Sequence, residues 1–121
     1  SPALALDQVS LFHCLSGRGC EELLMEQGCI EQVAVLHCSD ACPVFSYAWN
    51  VRVFVQAHRR GIPIRQVGFS RVLCKEMNQV NTCNSIMSVP EHEREAHKNF
   101  VESVGGCDVV DELIRKSMQD T

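Results

Sequence analysis

Eight cysteines in a chain of 121 residues constrain this sequence more than any other feature. Their number is even, and this density is typical of small secreted domains, whose disulfides form in an oxidising compartment. Each disulfide that closes a loop of tens of residues adds about 2–4 kcal/mol to the free energy of unfolding. We therefore predict four structural disulfides, formed by Cys14, Cys20, Cys29, Cys38, Cys42, Cys74, Cys83 and Cys107.

Zinc binding is the main alternative role for so many cysteines, because thiolates are common zinc ligands. Zinc sites usually contain C-x-x-C pairs, and this sequence has none; its closest pair is Cys38 and Cys42. Two side chains one helical turn apart rarely meet disulfide geometry, so we expect these two to bond to other helices. The spacing favours disulfides over a metal site, and no cofactor is predicted.

Helical periodicity and helix boundary signals recur along the sequence. The clearest helix is predicted for residues 40–60, with Pro43 in its first turn and Gly61 after its end. Its apolar residues cover more than one face, which indicates a helix surrounded by others, although residues 51–55 also suit a strand. The predicted fold class is all-α, a compact disulfide-stapled bundle of about six or seven helices around this central helix. We expect a single domain over residues 1–121. The other helices are predicted over residues 7–15, 20–27, 30–37, 64–77, 88–104 and 108–118.

Charge is distributed unevenly along the chain. The net charge is −4, yet residues 41–75 carry +6 with no acidic residue, so the remaining 86 residues carry −10. A basic segment of this kind attracts anionic partners, although charge runs are also typical of solvated helix faces. The predicted partner-binding residues are Arg52, Arg59, Arg60, Arg65 and Arg71.

Several classes of protein are disfavoured by what the sequence lacks. It has no apolar run of the roughly 18–20 residues that span a bilayer, so no transmembrane segment is predicted. The acidic net charge argues against nucleic acid. The sequence motifs of common hydrolases and nucleotide-binding proteins are missing, so we predict no enzyme and no catalytic residues. Residues 1–9 do not resemble a signal peptide, so we expect the mature form of a secreted protein.

These observations predict a secreted, extracellular and non-enzymatic interaction protein, such as a ligand, toxin, signalling effector or matrix-associated factor. Its partner is expected to be an extracellular protein or a sulfated glycan, bound through a rigid helical surface. A preorganised surface suits this function because it loses little conformational freedom on binding. A homodimer is an open possibility, since the central helix has a second apolar face.

An alternative function is that of a carrier for a lipid or another small apolar ligand, held in a cavity among the helices. Apolar residues at helical spacing also form ordinary packed cores, so the pattern alone does not separate the two. The candidate lining residues are Leu24, Met25, Phe45, Trp49, Phe54 and Met77.

Overall fold

The computed structural model describes residues 3–6, 27–28, 30–38 and 43–120. Within these ranges the chain forms one three-stranded sheet, five α-helices and two short 3₁₀ turns, at Val44–Ser46 and Ile86–Ser88. The strands and helices are, in chain order, β1 (Ala3–Leu6), β2 (Gln32–His37), α1 (Ala48–Arg59), β3 (Ile64–Gly68), α2 (Ser70–Gln79), α3 (Thr82–Ser85), α4 (Glu91–Val104) and α5 (Cys107–Gln119).

The sheet has the strand order β1-β2-β3, and both pairs of neighbouring strands are parallel. Parallel neighbours require a connection that returns the chain to the same end of the sheet, and α1 lies in the connection between β2 and β3. In the register of these two strands, Val33 is opposite Ile64 and His37 is opposite Gly68. The ladder begins where the N–H of Val33 donates to the carbonyl of Pro63 at 2.9 Å.

The prediction of an all-α bundle is wrong, because parts of two segments predicted as helices, 30–37 and 64–77, form strands of this parallel sheet. In β2, residues Val33, Val35 and His37 are buried, and the residues between them are half-buried. That two-residue alternation is the period of a strand. Strands of parallel sheets are often apolar on both faces, so their sequences lack a clear alternation and are easily read as buried helix.

The central helix is confirmed, with a later start than predicted. Residues after Pro43 form a 3₁₀ turn, and α1 begins only at Ala48. Its side chains Val51, Phe54 and Val55 are almost fully buried in the hydrophobic core, together with the valines of β2. The strand alternative for residues 51–55 is wrong. Because these apolar side chains are covered within one chain, a homodimer is not needed to bury them, and self-association stays a prediction.

The later helices follow the predicted order with shifted starts. The helix predicted from residue 64 begins only at Ser70, because β3 occupies residues 64–68. Helix α4 begins at Glu91, three residues later than predicted, and the hydroxyl of Ser88 accepts the N–H of Ala48 at 2.9 Å. Helix α5 begins one residue before Asp108. The helix predicted over residues 7–15 lies outside the described residues. The same holds for residues 20–26 of the helix predicted over 20–27.

One disulfide joins α3 to the start of α5, between Cys83 and Cys107, whose Cα atoms are 5.8 Å apart. Cys38 and Cys74 are exposed free thiols, so the structure departs from the four-disulfide prediction at these two positions. The predicted bond from Cys38 to another helix is therefore wrong. The other predicted disulfide cysteines, outside the described residues, are Cys14, Cys20, Cys29 and Cys42.

None of the described helices is both long and apolar enough to cross a membrane.

Candidate functional site

A cavity of about 710 Å³ lies between the carboxyl end of α1, the beginning of β3 and the carboxyl-terminal half of α5. Each of these three elements contributes one exposed basic side chain to its wall: His58 from α1, Arg65 from β3 and Lys116 from α5. Among the described lining residues, Asp120 is the single acidic one. The other lining residues are Gly61, Ile62, Ile64, Gln66, Leu113 and Ser117.

The backbone at the end of α1 brings His58 close to the start of β3. Gly61 has φ +71°, in the left-handed region that glycine adopts without steric cost. Its N–H donates to the carbonyl of His58 at 3.1 Å, and the N–H of Ile62 donates to the carbonyl of Ala57 at 3.0 Å. These two bonds form a Schellman motif, which satisfies carbonyls that the helix end would leave unpaired. The chain then enters β3 at Ile64, so the helix end and the strand share one side of the cavity.

Gln66 forms the polar inner wall of the cavity, and its side-chain amide is fixed at both ends. Its Nε2 donates to Oγ of Ser117 at 3.1 Å, and its Oε1 lies 2.6 Å from Nε2 of His37. Because an amide oxygen is only an acceptor, Nε2 of His37 must carry the proton. Only 3% of Gln66 is exposed. Bonding at both ends therefore holds its amide in one orientation toward the cavity.

His37 is buried behind this amide at the end of β2. Its Nδ1 is buried and has no hydrogen-bond partner in the part of the chain that the structure describes. Burial lowers the pKa of His37 from its ordinary value of 6.5, because the charged imidazolium loses hydration, and the bond to Gln66 opposes this shift. The imidazole is therefore neutral at neutral pH.

The polar groups behind the cavity form a hydrogen-bonded chain from His37 through Gln66 to Ser117. Gln66 separates the imidazole of His37 from the hydroxyl of Ser117, so the imidazole is not hydrogen-bonded to that hydroxyl. An activated serine needs a base within hydrogen-bond distance, and His37 does not fill that role. Basic side chains around an open cavity, with fixed amide and hydroxyl groups behind them, can instead hold an anionic group.

The structure brings three of the five predicted arginines to one end of the molecule. Arg59 and Arg60 are exposed at the end of α1, where with Phe100 they line a hollow of about 330 Å³. Arg65 follows in β3 and lines the larger cavity. Arg71 lies in the first turn of α2, beyond the opposite end of β3. The basic segment is therefore divided between the two ends of the sheet.

Arg52 is half-buried between two aromatic rings. Its guanidinium carbon lies 4.6 Å from the ring centroid of Phe100 and 5.4 Å from that of Trp49. Cation–π contacts of this kind contribute on the order of 1 kcal/mol. Within the described structure, Arg52 links α1 to α4 and is less accessible to a partner than Arg59 or Arg65.

Sequence reasoning did not identify Gln66, Lys116 or Ser117 as members of the site. Lys116 was visible only as a cation in the last turn of a helix, a common position for basic residues. Gln66 can be recognised as a buried polar residue only when residues 64–68 are interpreted as a strand. In a strand, Gln66 lies on the buried face, and its neighbours Arg65 and Val67 lie on the exposed face. The error in fold class therefore concealed part of the site.

The residues proposed to line an apolar carrier cavity are engaged in packing where the structure describes them. Phe45 and Phe54 are buried and contact each other edge to face, with ring centroids 5.5 Å apart. Trp49 contacts His97 edge to face at 4.6 Å. Met77 packs against the hydrophobic core. Leu24 and Met25, the other two residues of that set, lie outside the described residues.

In the described part of the chain, no group of three or more histidine, cysteine or acidic side chains could hold a metal ion. No protein-family model, curated protein or solved structure matches this chain at a significant level.

Proposed function

We propose that this chain is a non-enzymatic interaction domain that binds an anionic partner at the cavity between α1, β3 and α5. The observation that carries the proposal is the convergence of His58, Arg65 and Lys116, from three separate elements, on one open cavity. Three elements fix the relative positions of these basic groups better than one mobile loop would. Preorganised groups lose little conformational freedom when a partner binds.

The partner that we propose is extracellular and carries sulfate or carboxylate groups, as a sulfated glycan or an acidic protein surface does. Exposed Arg59 and Arg60 lie next to the cavity in sequence and extend the positive surface. Basic groups clustered in this way raise the local concentration of anions and speed their association, an effect that salt weakens. The apolar wall formed by Ile62, Ile64 and Leu113 suits the uncharged face of a sugar ring or an aliphatic side chain.

Secretion is part of the same proposal. The Cys83–Cys107 disulfide supports it, because disulfides persist in oxidising compartments and are rare in the cytosol. The exposed thiols of Cys38 and Cys74 do not add to that support. Intact mass of the native protein after alkylation, with and without reductant, measures the number of bonded cysteines directly.

The binding proposal is tested with a heparin-derived oligosaccharide as the probe and isothermal titration calorimetry at two salt concentrations. We expect the double variant Arg65→Ala, Lys116→Ala to weaken binding at least about 10-fold, because each lost charge contact removes roughly 1 kcal/mol or more. Binding by the unmodified chain is expected to weaken as salt rises.

The matched control is the double variant Lys75→Ala, Lys98→Ala. It removes the same charge from two exposed residues outside the cavity lining, one on α2 and one on α4. We expect this control to weaken binding by less than about 3-fold, as long-range electrostatics alone would. Equal weakening by the two double variants would show that net charge, and not the cavity, attracts the probe.

A further inference from the structure

A second and smaller cavity, of about 190 Å³, lies where the carboxyl end of α2 meets the 3₁₀ turn at Val44–Ser46 and helix α3. It shares no described lining residue with the anion-binding cavity, and no described lysine, arginine or histidine lines it. Its polar lining is a carboxylate, three side-chain amides and two hydroxyls, from Glu76, Gln79, Asn81, Asn84, Ser46 and Ser85.

Glu76 is the one charged side chain among the described lining residues, and 3% of it is exposed. One carboxylate oxygen accepts the backbone N–H of Phe45 at 3.1 Å. An ionised carboxylate can accept about four hydrogen bonds. The bond from the N–H of Phe45 is the one that the described part of the chain donates to Glu76. Burial raises the pKa of Glu76 above 4.5, and the bond from Phe45 opposes that shift. The buried carboxylate therefore has acceptor capacity that the described protein does not use.

The two hydroxyls in the cavity wall are also acceptors toward a ligand. Oγ of Ser46 donates to the carbonyl of Pro43 at 2.6 Å, and Oγ of Ser85 donates to the carbonyl of Thr82 at 2.6 Å. Each hydroxyl has a single hydrogen, so these bonds leave only lone pairs for other partners. The carboxylate and these two hydroxyls therefore match hydrogen-bond donors on a ligand.

The end of α2 adds negative character and already binds one guanidinium. The last carbonyls of a helix are unpaired, and the helix dipole places partial negative charge at that end. Arg115 uses this property, because its Nε donates to the carbonyl of Met77 at 3.4 Å and its Nη2 to that of Val80 at 3.3 Å. Val80 also lines the cavity, so the same helix end borders both the bound guanidinium of Arg115 and the cavity.

We propose that this cavity binds a guanidinium group, with the carboxylate of Glu76 as its counter-ion. A planar guanidinium carries five N–H donors, which match a carboxylate together with surrounding amide and hydroxyl oxygens. The volume equals that of about six water molecules, so it admits a guanidinium head and a short aliphatic stem but not a drug-sized ligand. The group can come from a free small molecule or from an arginine side chain of a partner.

The test is a titration of the ¹⁵N-labelled full chain with methylguanidinium chloride, followed by its amide NMR spectrum. We expect saturable shifts of the Phe45 and Asn84 backbone amides, which lie at the cavity wall. Tetramethylammonium chloride, a cation without N–H donors, is expected to give no saturable shift at the same ionic strength. Shifts that grow linearly without saturating, or equal responses to both salts, would overturn the proposal.

The variant Glu76→Gln removes the charge and keeps a side-chain oxygen for the N–H of Phe45, so we expect it to fold. It should bind methylguanidinium at least about 10-fold more weakly, since charge-assisted bonds are about twice as strong as neutral ones. The control Glu112→Gln changes an exposed acid of α5 and should bind as the unmodified chain does. Undiminished affinity in Glu76→Gln would refute the role of the carboxylate.

A second titration, with Nα-acetyl-arginine amide, distinguishes the two sources of the group. Tighter binding of this compound than of methylguanidinium assigns the site to an arginine side chain of a partner. Weaker binding assigns it to a free guanidinium compound. Saturable binding of neither compound would overturn the guanidinium assignment, and none of these results bears on the heparin titration of the other cavity.

Discussion

A single carboxylate oxygen of Asp111 accepts two hydrogen bonds from Thr82, one from its backbone N–H at 2.8 Å and one from its hydroxyl at 2.6 Å. Both residues are buried. The interaction joins α5 to the first residue of α3, and the neighbouring disulfide between Cys83 and Cys107 joins the same two helices. A helix of four residues has little stability of its own, so these two links hold α3 in place.

Replacing Asp111 with alanine is expected to lower the free energy of unfolding by about 3 kcal/mol, because two buried donors of Thr82 lose their acceptor. Asp111→Asn retains a side-chain oxygen and should lose roughly half as much. Urea denaturation followed by circular dichroism measures both values. A loss below about 0.5 kcal/mol in the alanine variant would contradict a stabilising role.

Removal of the disulfide by the double variant Cys83→Ala, Cys107→Ala is expected to cost about 3 kcal/mol. The two cysteines are 24 residues apart in sequence, and closing a loop of this length reduces the entropy of the unfolded chain by about that amount. Thermal unfolding is the measurement, with exposed Cys74→Ala as the control. If the double variant and the control unfold at the same temperature, the bond does not stabilise the native state.

Stability is expected to fall as the pH decreases below about 6.5, because of His37. In the unfolded chain this histidine takes up a proton near its ordinary pKa of 6.5, whereas burial lowers its pKa in the folded chain. The unfolded state therefore binds more protons between the two pKa values, and acid favours it. Below the folded-state pKa both states are protonated, and the loss attributable to His37 levels off.

An NMR titration of the imidazole Hε1 of His37 checks the assignment directly, and we expect a midpoint below 6.5. The variant His37→Gln, which has no proton to gain, should unfold with a weaker dependence on pH over the same range. A midpoint at or above 6.5 would show that burial does not disfavour the charged imidazolium.

Gly68 is expected to tolerate no side chain. A Cβ atom at this position would lie 2.5 Å from the backbone oxygen of His37 and 2.8 Å from its Cβ, closer than real Cβ contacts. Gly68→Ala should therefore separate the ends of β2 and β3 and cost about 1–3 kcal/mol, the usual range for overpacking. Chemical denaturation measures the loss, and Ser70→Ala, at an exposed position two residues later, should be nearly neutral.

The sequence predicted the helices best where boundary residues and periodicity agreed. Gly61 marks the end of α1, and the segment after Ser88 contains α4, because glycine stops and acidic first turns are local signals. The sheet was missed because its strands are short and depend on partners distant in sequence. Val33 pairs with Ile64, and the local sequence around either residue does not predict that pairing.

The candidate site was predicted only in outline. Arg59, Arg60 and Arg65 were identified from charge alone, and the structure places them at one end of the molecule. Lys116 lies some fifty residues after Arg65 in the sequence. The two residues line the same cavity only because of tertiary packing, which cannot be predicted from the distribution of charge along the chain. Their binding roles stay predictions.

Only four residues, 60–63, connect the last residue of α1 to the first residue of β3, and the Schellman motif at Gly61 fixes this turn, so the end of α1 and the start of β3 cannot shift independently. In the proposed binding mode an anion contacts both His58 and Arg65, whose backbones are held at a nearly constant separation. We therefore expect the cavity to discriminate among polyanions by the interval between their negative groups. Two glycans of equal sulfate content but different sulfation pattern are therefore expected to bind with different affinities.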